Sequence, residues 1–186
     1  MPTEPIWPSH HRDLHGAAAT TRHYLRDLVY GANDGIITTF AVVAGVSGGA
    51  LSVRAVLVVG VANLLADGLS MGVGNYLGIK SDESARRTEG LPPREEHAVR
   101  HGAATFLAFA VAGAIPLLPF LIPALAAWRF EASTAATLGA LFAVGASRAF
   151  VTDVGWVRAG LEMLVLGVAV ALVAFYSGRL VAALFV

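Results

Sequence analysis

One apolar run with a polar stripe along it constrains this chain more than any other feature. Residues Val56 to Ile79 read VLVVGVANLLADGLSMGVGNYLGI. That is long enough to cross a bilayer as a helix, which takes about 20 residues. Within the run, Asn63, Asp67, Met71 and Asn75 recur at spacings of four. Positions four apart on a helix lie almost above one another. The four therefore form a stripe about 18 Å long at about 1.5 Å per residue. An ionisable group in hydrocarbon is costly, so such a group faces a cavity, a partner or a pathway rather than lipid. A carboxylate, two amides and a thioether in one line are stopping places for a cation, which points to metal-ion transport.

The composition agrees with a membrane protein. Of 186 residues, 56% are hydrophobic and 14% charged, against about 25% charged in soluble domains. The chain has no cysteine, which excludes disulfides, thiolate zinc sites and iron–sulfur clusters. Residues Met1 to Arg26 are rich in His, Arg and Pro. They lack the apolar core of a secretory signal peptide, so residues 1–21 are expected to be a polar tail.

The pattern predicts an all-α polytopic membrane protein. Residues 22–186 form one transmembrane domain with five spans, at about 28–46, 55–79, 103–127, 132–151 and 159–184. The uninterrupted apolar part of the first span, Ile36 to Val46, is too short alone. That span must therefore take in Asn33 and Asp34 and carry a carboxylate into or near the membrane. Pro116, Pro119 and Pro123 should kink the third span or end it early. The connection 80–101 is the only extramembrane segment of any size, and it is too short for an independent domain.

Basic residues set the orientation. Arg12, Arg22 and Arg26 in the tail, Lys80, Arg86, Arg87, Arg94 and Arg100 in the long connection, and Arg148 and Arg158 all fall on one side. Only Arg54, Arg129 and Arg179 fall on the other. The positive-inside rule puts the N-terminus and the 80–101 connection in the cytoplasm. Glycine pairs four apart, Gly31/Gly35, Gly45/Gly49, Gly68/Gly72 and Gly74/Gly78, allow close helix contacts or a dimer face. A homodimer is expected, because the stripe must face something other than lipid and a two-fold axis brings two stripes together.

Asp34 and Asp67 lead the candidate metal ligands. Met71 is a soft ligand one turn from Asp67, and a mixed hard and soft set suits Fe2+ better than Mg2+ or Ca2+. Asn63 and Asn75 offer amide oxygens, which either ligate or bond between helices. Glu162 is a third acid in a span; near a helix start it also serves the helix dipole. His97 and His101 are four apart beside Glu96, a spacing that can chelate a metal, or they form a solvated helix start. The tail sequence HHRDLH is a weaker metal binder.

Several stretches resemble the vacuolar iron transporter family. They are LRDLVYGANDGIITTFAVVAGVSG, VANLLADGLSMGVGNYLGIKSDES, GAIPLLPFL, ALFAVGASRAF and WVRAGLEMLVLGVAVALVAFYSG. The likeness runs in order from about Arg22 to Gly178. It implies a five-helix dimer with an ion path at the subunit interface, exchanging Fe2+ and related ions such as Mn2+ for protons. The family's first-helix aspartate falls on Asp34 and its second-helix methionine on Met71, both proposed to handle metal. Two departures stand out. Eukaryotic members insert a large acidic metal-binding domain where only Lys80 to His101 stands here, so this resembles a short prokaryotic-type member. Asn75 also stands where many members carry an acid.

The expected partners are thus the lipid bilayer, divalent metal ions and protons, and a second copy of the chain, with no nucleic acid. No cofactor is expected to be permanently bound; Fe2+ or Mn2+ is cargo. The abundance of Ala and Arg suggests a bacterial cytoplasmic membrane and metal export. The competing function is a non-transporting scaffold that uses its acids for helix assembly. The chain offers no nucleophile–base pair, no phosphate loop and no His within a span, so an enzyme is not expected.

Overall fold

The computed structural model describes residues 17–150 and 154–185. The start of the polar tail, with His10, His11, Arg12 and His15, lies outside the described residues, as does Val151. The described residues are helical, without strands: α1 (Ala17–Gly48), α2 (Val53–Thr88), α3 (Ala98–Gly113), α4 (Leu118–Leu121), α5 (Arg129–Ser147) and α6 (Trp156–Phe185). Among them, four helical segments are long and apolar enough to cross a membrane: His23–Gly48, Val53–Thr88, Ala98–Leu121 and Trp156–Phe185. The expected span at 132–151 corresponds to α5, which is not among the four. Ser133, Thr134, Thr137 and Ser147 dilute its apolar content.

Helix α1 is the hub and packs against α2, α3, α5 and α6. It turns into α2 through residues 49–52, where Ala50 takes a left-handed φ of 55° and the Ser52 hydroxyl accepts from the Ala55 N–H at 3.3 Å. Phe40 and Val43 of α1, Val56 of α2, Leu117 and Phe120 form a buried cluster.

Tight helix contacts use the glycines. On Gly31 and Gly35 an added Cβ would lie 2.5 Å from the Thr105 carbonyl oxygen and 2.4 Å from that of Phe109. Contacts 31 to 105 and 35 to 109 rise together, so α1 and α3 run parallel. Gly72 of α2 meets Gly102, while Gly60, nearer the start of α2, meets Leu117, so α2 runs antiparallel to α3. Gly145 of α5 meets Ala159 and Gly160, and Gly167 meets Leu141, which makes α5 antiparallel to α6.

Two boundaries differ from expectation in an instructive way. Helix α2 continues past Ile79 to Thr88, because Lys80, Glu83, Arg86 and Arg87 end the apolar run without opposing helix formation. Helix α3 ends at Gly113, ahead of the prolines. The backbone then passes through single turns at Ile115–Leu117 and Pro123–Leu125. There the buried Ser133 hydroxyl donates to the Pro116 carbonyl at 2.7 Å, a side-chain substitute for the interrupted helix ladder.

Candidate functional site

The buried row of α2 is Val56, Gly60, Leu64, Gly68 and Gly72, facing α3. Asn63, Asp67, Met71 and Asn75 each precede a residue of that helical face, and all four are half-buried. They form the margin of the packed face and run along the seam between α2 and α1. Two contacts fix the register. The Asn75 amide donates to Asp27 Oδ1 at 2.7 Å. Two turns back along α2 and two turns forward along α1, Asp67 and Asp34 are close enough for their charges to repel. Among the described residues, no hydrogen bond or ion pair holds either of those carboxylates. Asn63 Nδ2, one turn further along α2, and Asn33 Oδ1, beside Asp34 on α1, are buried with no hydrogen-bond partner among the described residues.

Asn75 is more firmly tied than a free ligand would be. Its amide donates to Thr105 Oγ1 at 2.8 Å as well as to Asp27, joining three helices. Glu162 stands apart from the seam. It is exposed at the start of α6, with Arg158 Nε at 3.3 Å and Arg148 Nη1 at 3.8 Å. Met163 beside it is buried.

At the end of the seam where α2 stops and α3 begins, a second group of ionisable residues converges. His101 is buried on the first turn of α3. Its Nδ1 contacts Asp27 Oδ2. Its Nε2 lies 3.1 Å from Glu95 Oε2 and 3.1 Å from His23 Nε2, and His23 Nε2 is 3.0 Å from Glu95 Oε2. His23, Glu95 and His101 offer three potential metal-ligand atoms within 4.8 Å of one another. Tyr24 walls the group, its ring 4.7 Å from that of His101 and 4.9 Å from that of His23.

The connection from α2 is built to present Glu95. Glu83, on the last turns of α2, accepts from the backbone N–H groups of Arg94 and Glu95 at 3.0 and 2.8 Å. Arg86 donates to the Pro92 carbonyl at 3.0 Å. The backbone N–H of His97 donates to Glu95 Oε1 at 2.9 Å, which turns Oε2 toward the histidines. Burial works to raise the Glu95 carboxyl pKa. The His97 N–H, the His101 ring and the His23 charge outweigh it and hold the group below its ordinary value.

His97 therefore acts through its backbone. Its side chain is exposed at the N-cap of α3, and the ring grouped with His101 is that of His23, not of His97. Sequence reasoning missed His23, Asp27 and Glu95. Asp27 stood one residue outside the expected first span, yet it precedes Asp34 by two turns on one face, a signal that was present. His23 and Glu95 carried no such signal, since their proximity depends on the turn at residues 89–97.

The comparisons with known proteins decide the family. The sequence profile of the VIT family matches residues 25–90 and 84–179. The chain belongs to the VIT family. It is a multi-pass membrane protein, and this membership supports metal-ion transport. A vacuolar iron transporter of Toxoplasma gondii is 41% identical over 91 residues, which cover 49% of this chain and 29% of that protein. Vacuolar iron transporter 1 of Arabidopsis thaliana is 25% identical over 229 residues, covering 92% of this chain and 90% of the relative. Vacuolar iron transporter homolog 1 of Oryza sativa subsp. japonica is 32% identical, covering 77% of this chain and 68% of its own. The Arabidopsis alignment is longer than this chain, so that relative carries residues this one lacks. The two matched stretches overlap at residues 84–90, at the end of α2 and the start of its connection to α3.

Proposed function

We propose that this VIT-family chain carries divalent metal, Fe2+ and also Mn2+, out of the cytoplasm in exchange for protons. The single observation that carries the reading is the pair Asp34 and Asp67. Asp34 on α1 and Asp67 on α2 are near enough for their charges to repel, and among the described residues no donor or base holds either carboxylate. A scaffold would pair such acids with donors on neighbouring helices, as Asn75 and Asp27 are paired. Two like charges held together in a low-dielectric setting call for positive charge between them, and one M2+ balances both. Met71 lies between Asp67 and Asn75 on the same line and adds a soft ligand without adding charge. Protons and metal then compete for the same two carboxylates, which is the elementary step of exchange.

In this reading α5 is a fifth pass. At about 1.5 Å per residue, its 19 residues reach about 28 Å, close to the ~30 Å hydrocarbon thickness. Its hydroxyls at Ser133 and Thr134 are spent on carbonyls inside the protein. The positive-inside rule then makes the His23–Glu95–His101 end cytoplasmic. Metal enters the seam there and leaves at the Asn63 end, across a bacterial cytoplasmic membrane.

The functional unit is a homodimer that meets along α2. Three of the four glycine pairs are consumed within the subunit: Gly31/Gly35 against α3, Gly68/Gly72 against α3, and Gly45/Gly49 against α6. Nothing lies within 4 Å of a Cβ added to Gly74 or Gly78. With Ala62, Ala66 and Ser70 they make an exposed small-residue row beside the polar stripe, the surface on which membrane helices approach closely. The test is direct. Purified protein in liposomes moves Fe2+ or Mn2+ across the bilayer; a scaffold moves none.

A further inference from the structure

We infer that His23, Glu95 and His101 form a divalent-metal loading site at the mouth of the α1–α2 seam, with Asp27 as its positioning residue. The inference takes its ion from the transport reading above and its site from geometry alone.

Proton bookkeeping shows why the cluster wants a cation. A carboxylate only accepts, so the Asp27 contact places a proton on His101 Nδ1 and, in the neutral ring that a metal would bind, leaves Nε2 as the ligand lone pair. That lone pair faces Glu95 Oε2 at 3.1 Å and His23 Nε2 at 3.1 Å, while His23 Nε2 and Glu95 Oε2 are 3.0 Å apart. With no proton on His101 Nε2, a single proton on His23 Nε2 leaves the His101–Glu95 edge acceptor against acceptor. A metal ion at the centre satisfies all three. Ligands at about 2.05 Å around a tetrahedral ion are spaced about 3.3 Å apart, so the three atoms need only small outward shifts to receive one.

The donor set narrows the metal. Two imidazoles and one carboxylate with open positions is a ligand set that suits Fe2+ and Zn2+, and it is a poor set for Mg2+ or Ca2+. The open positions suit an ion that has to leave again. Glu95 and Asp27 together supply two negative charges beside two neutral rings, which balances M2+.

The surroundings hold the ligands in place. Asp27 fixes the His101 tautomer and ring, the relation seen between second-sphere carboxylates and metal-binding histidines. Asn75 in turn holds Asp27 Oδ1 at 2.7 Å. The His97 N–H and Glu83 fix Glu95 from the far side. Because Asn75 is also the last residue of the stripe, one hydrogen bond joins the loading site to the path. Asn75 is thereby assigned a positioning role.

The experiment is Co2+ titration of the purified, untagged full chain in detergent, followed by visible absorption. Four variants are compared with the wild type: His101→Asn, Glu95→Gln, Asp27→Asn, and a tail variant with His10, His11 and His15 changed to Ala. Size-exclusion profiles confirm that each variant is folded, and Glu95→Gln is near-isosteric. The expected result is a nitrogen-ligated Co2+ spectrum that the tail variant keeps. His101→Asn and Glu95→Gln should lose it or bind at least tenfold more weakly. Asp27→Asn should keep its character with an affinity lower by roughly 10–100-fold. A spectrum and affinity unchanged in both His101→Asn and Glu95→Gln, or lost in the tail variant, would overturn the site. Failure of the transport reading shows itself separately, as wild-type protein that binds Co2+ yet moves no metal into liposomes.

Discussion

Replacing Gly35 by Ala tests the closest helix contact that positions the seam. The new Cβ would lie 2.4 Å from the Phe109 carbonyl oxygen and 2.9 Å from its Cα. An ordinary carbon–oxygen contact begins near 3.3 Å, so α1 and α3 have to separate by about 1 Å. Both opposing atoms are backbone within a helix, so no side chain can rotate away to absorb the shift. Overpacking usually costs about 1–3 kcal/mol, and this geometry belongs at the upper end, about 3 kcal/mol. For a chain of this length that corresponds to an apparent melting temperature lower by roughly 6–12 °C. The matched control is Gly139→Ala on α5, where a Cβ meets nothing within 4 Å and stability should not fall. Thermal unfolding of both variants in the same detergent, followed by tryptophan fluorescence, reads the difference. A Gly35→Ala protein that melts within about 1 °C of wild type would refute the close approach of α1 and α3 and the register built on it.

Three further outcomes follow from the seam and its surroundings. Asp34→Ala and Met71→Ala should each cut metal flux in liposomes at matched protein levels while leaving membrane insertion intact; normal flux in both would remove these residues from the path. Gly74→Leu should shift the cross-linked population from dimer toward monomer, since it fills the one glycine pair left open on α2, and an unchanged dimer would place the interface elsewhere. Glu162→Gln removes exposed ion pairs to Arg158 and Arg148, which are worth at most about 1 kcal/mol, so flux should stay near wild type; a large loss would return Glu162 to the path.

The stripe on α2 was legible because its spacing of four survives folding unchanged: Asn63, Asp67, Met71 and Asn75 all lie on the margin of the packed face. Asp34 was legible for a similar reason, since the first apolar run is too short without it. Hydropathy marks the apolar span and not the helix that continues beyond it. It ended the second span at Ile79, although the charged residues beyond it are good helix formers and carry α2 to Thr88. That extension is what brings Glu83 to the turn holding Glu95, so the mouth of the seam could not be assembled from span boundaries alone. The His97–His101 spacing singled out His101, while the ring that the structure groups with it is that of His23. Local spacing sees one helix, while His101 finds its neighbours across 78 residues of chain at His23 and across the turn at Glu95. Asn75 carries the same lesson: its residue type suggests a ligand, and its hydrogen bonds to Asp27 and Thr105 make it a brace.

The most direct test of the account is metal uptake into liposomes under an imposed pH gradient, with internal pH recorded alongside Fe2+ or Mn2+. Metal and protons sharing Asp34 and Asp67 should move in opposite directions. Flux should rise with the gradient, and Asp34→Asn should abolish metal movement and the pH change together. Metal flux that ignores the gradient and moves no protons would contradict exchange and make the seam a passive channel.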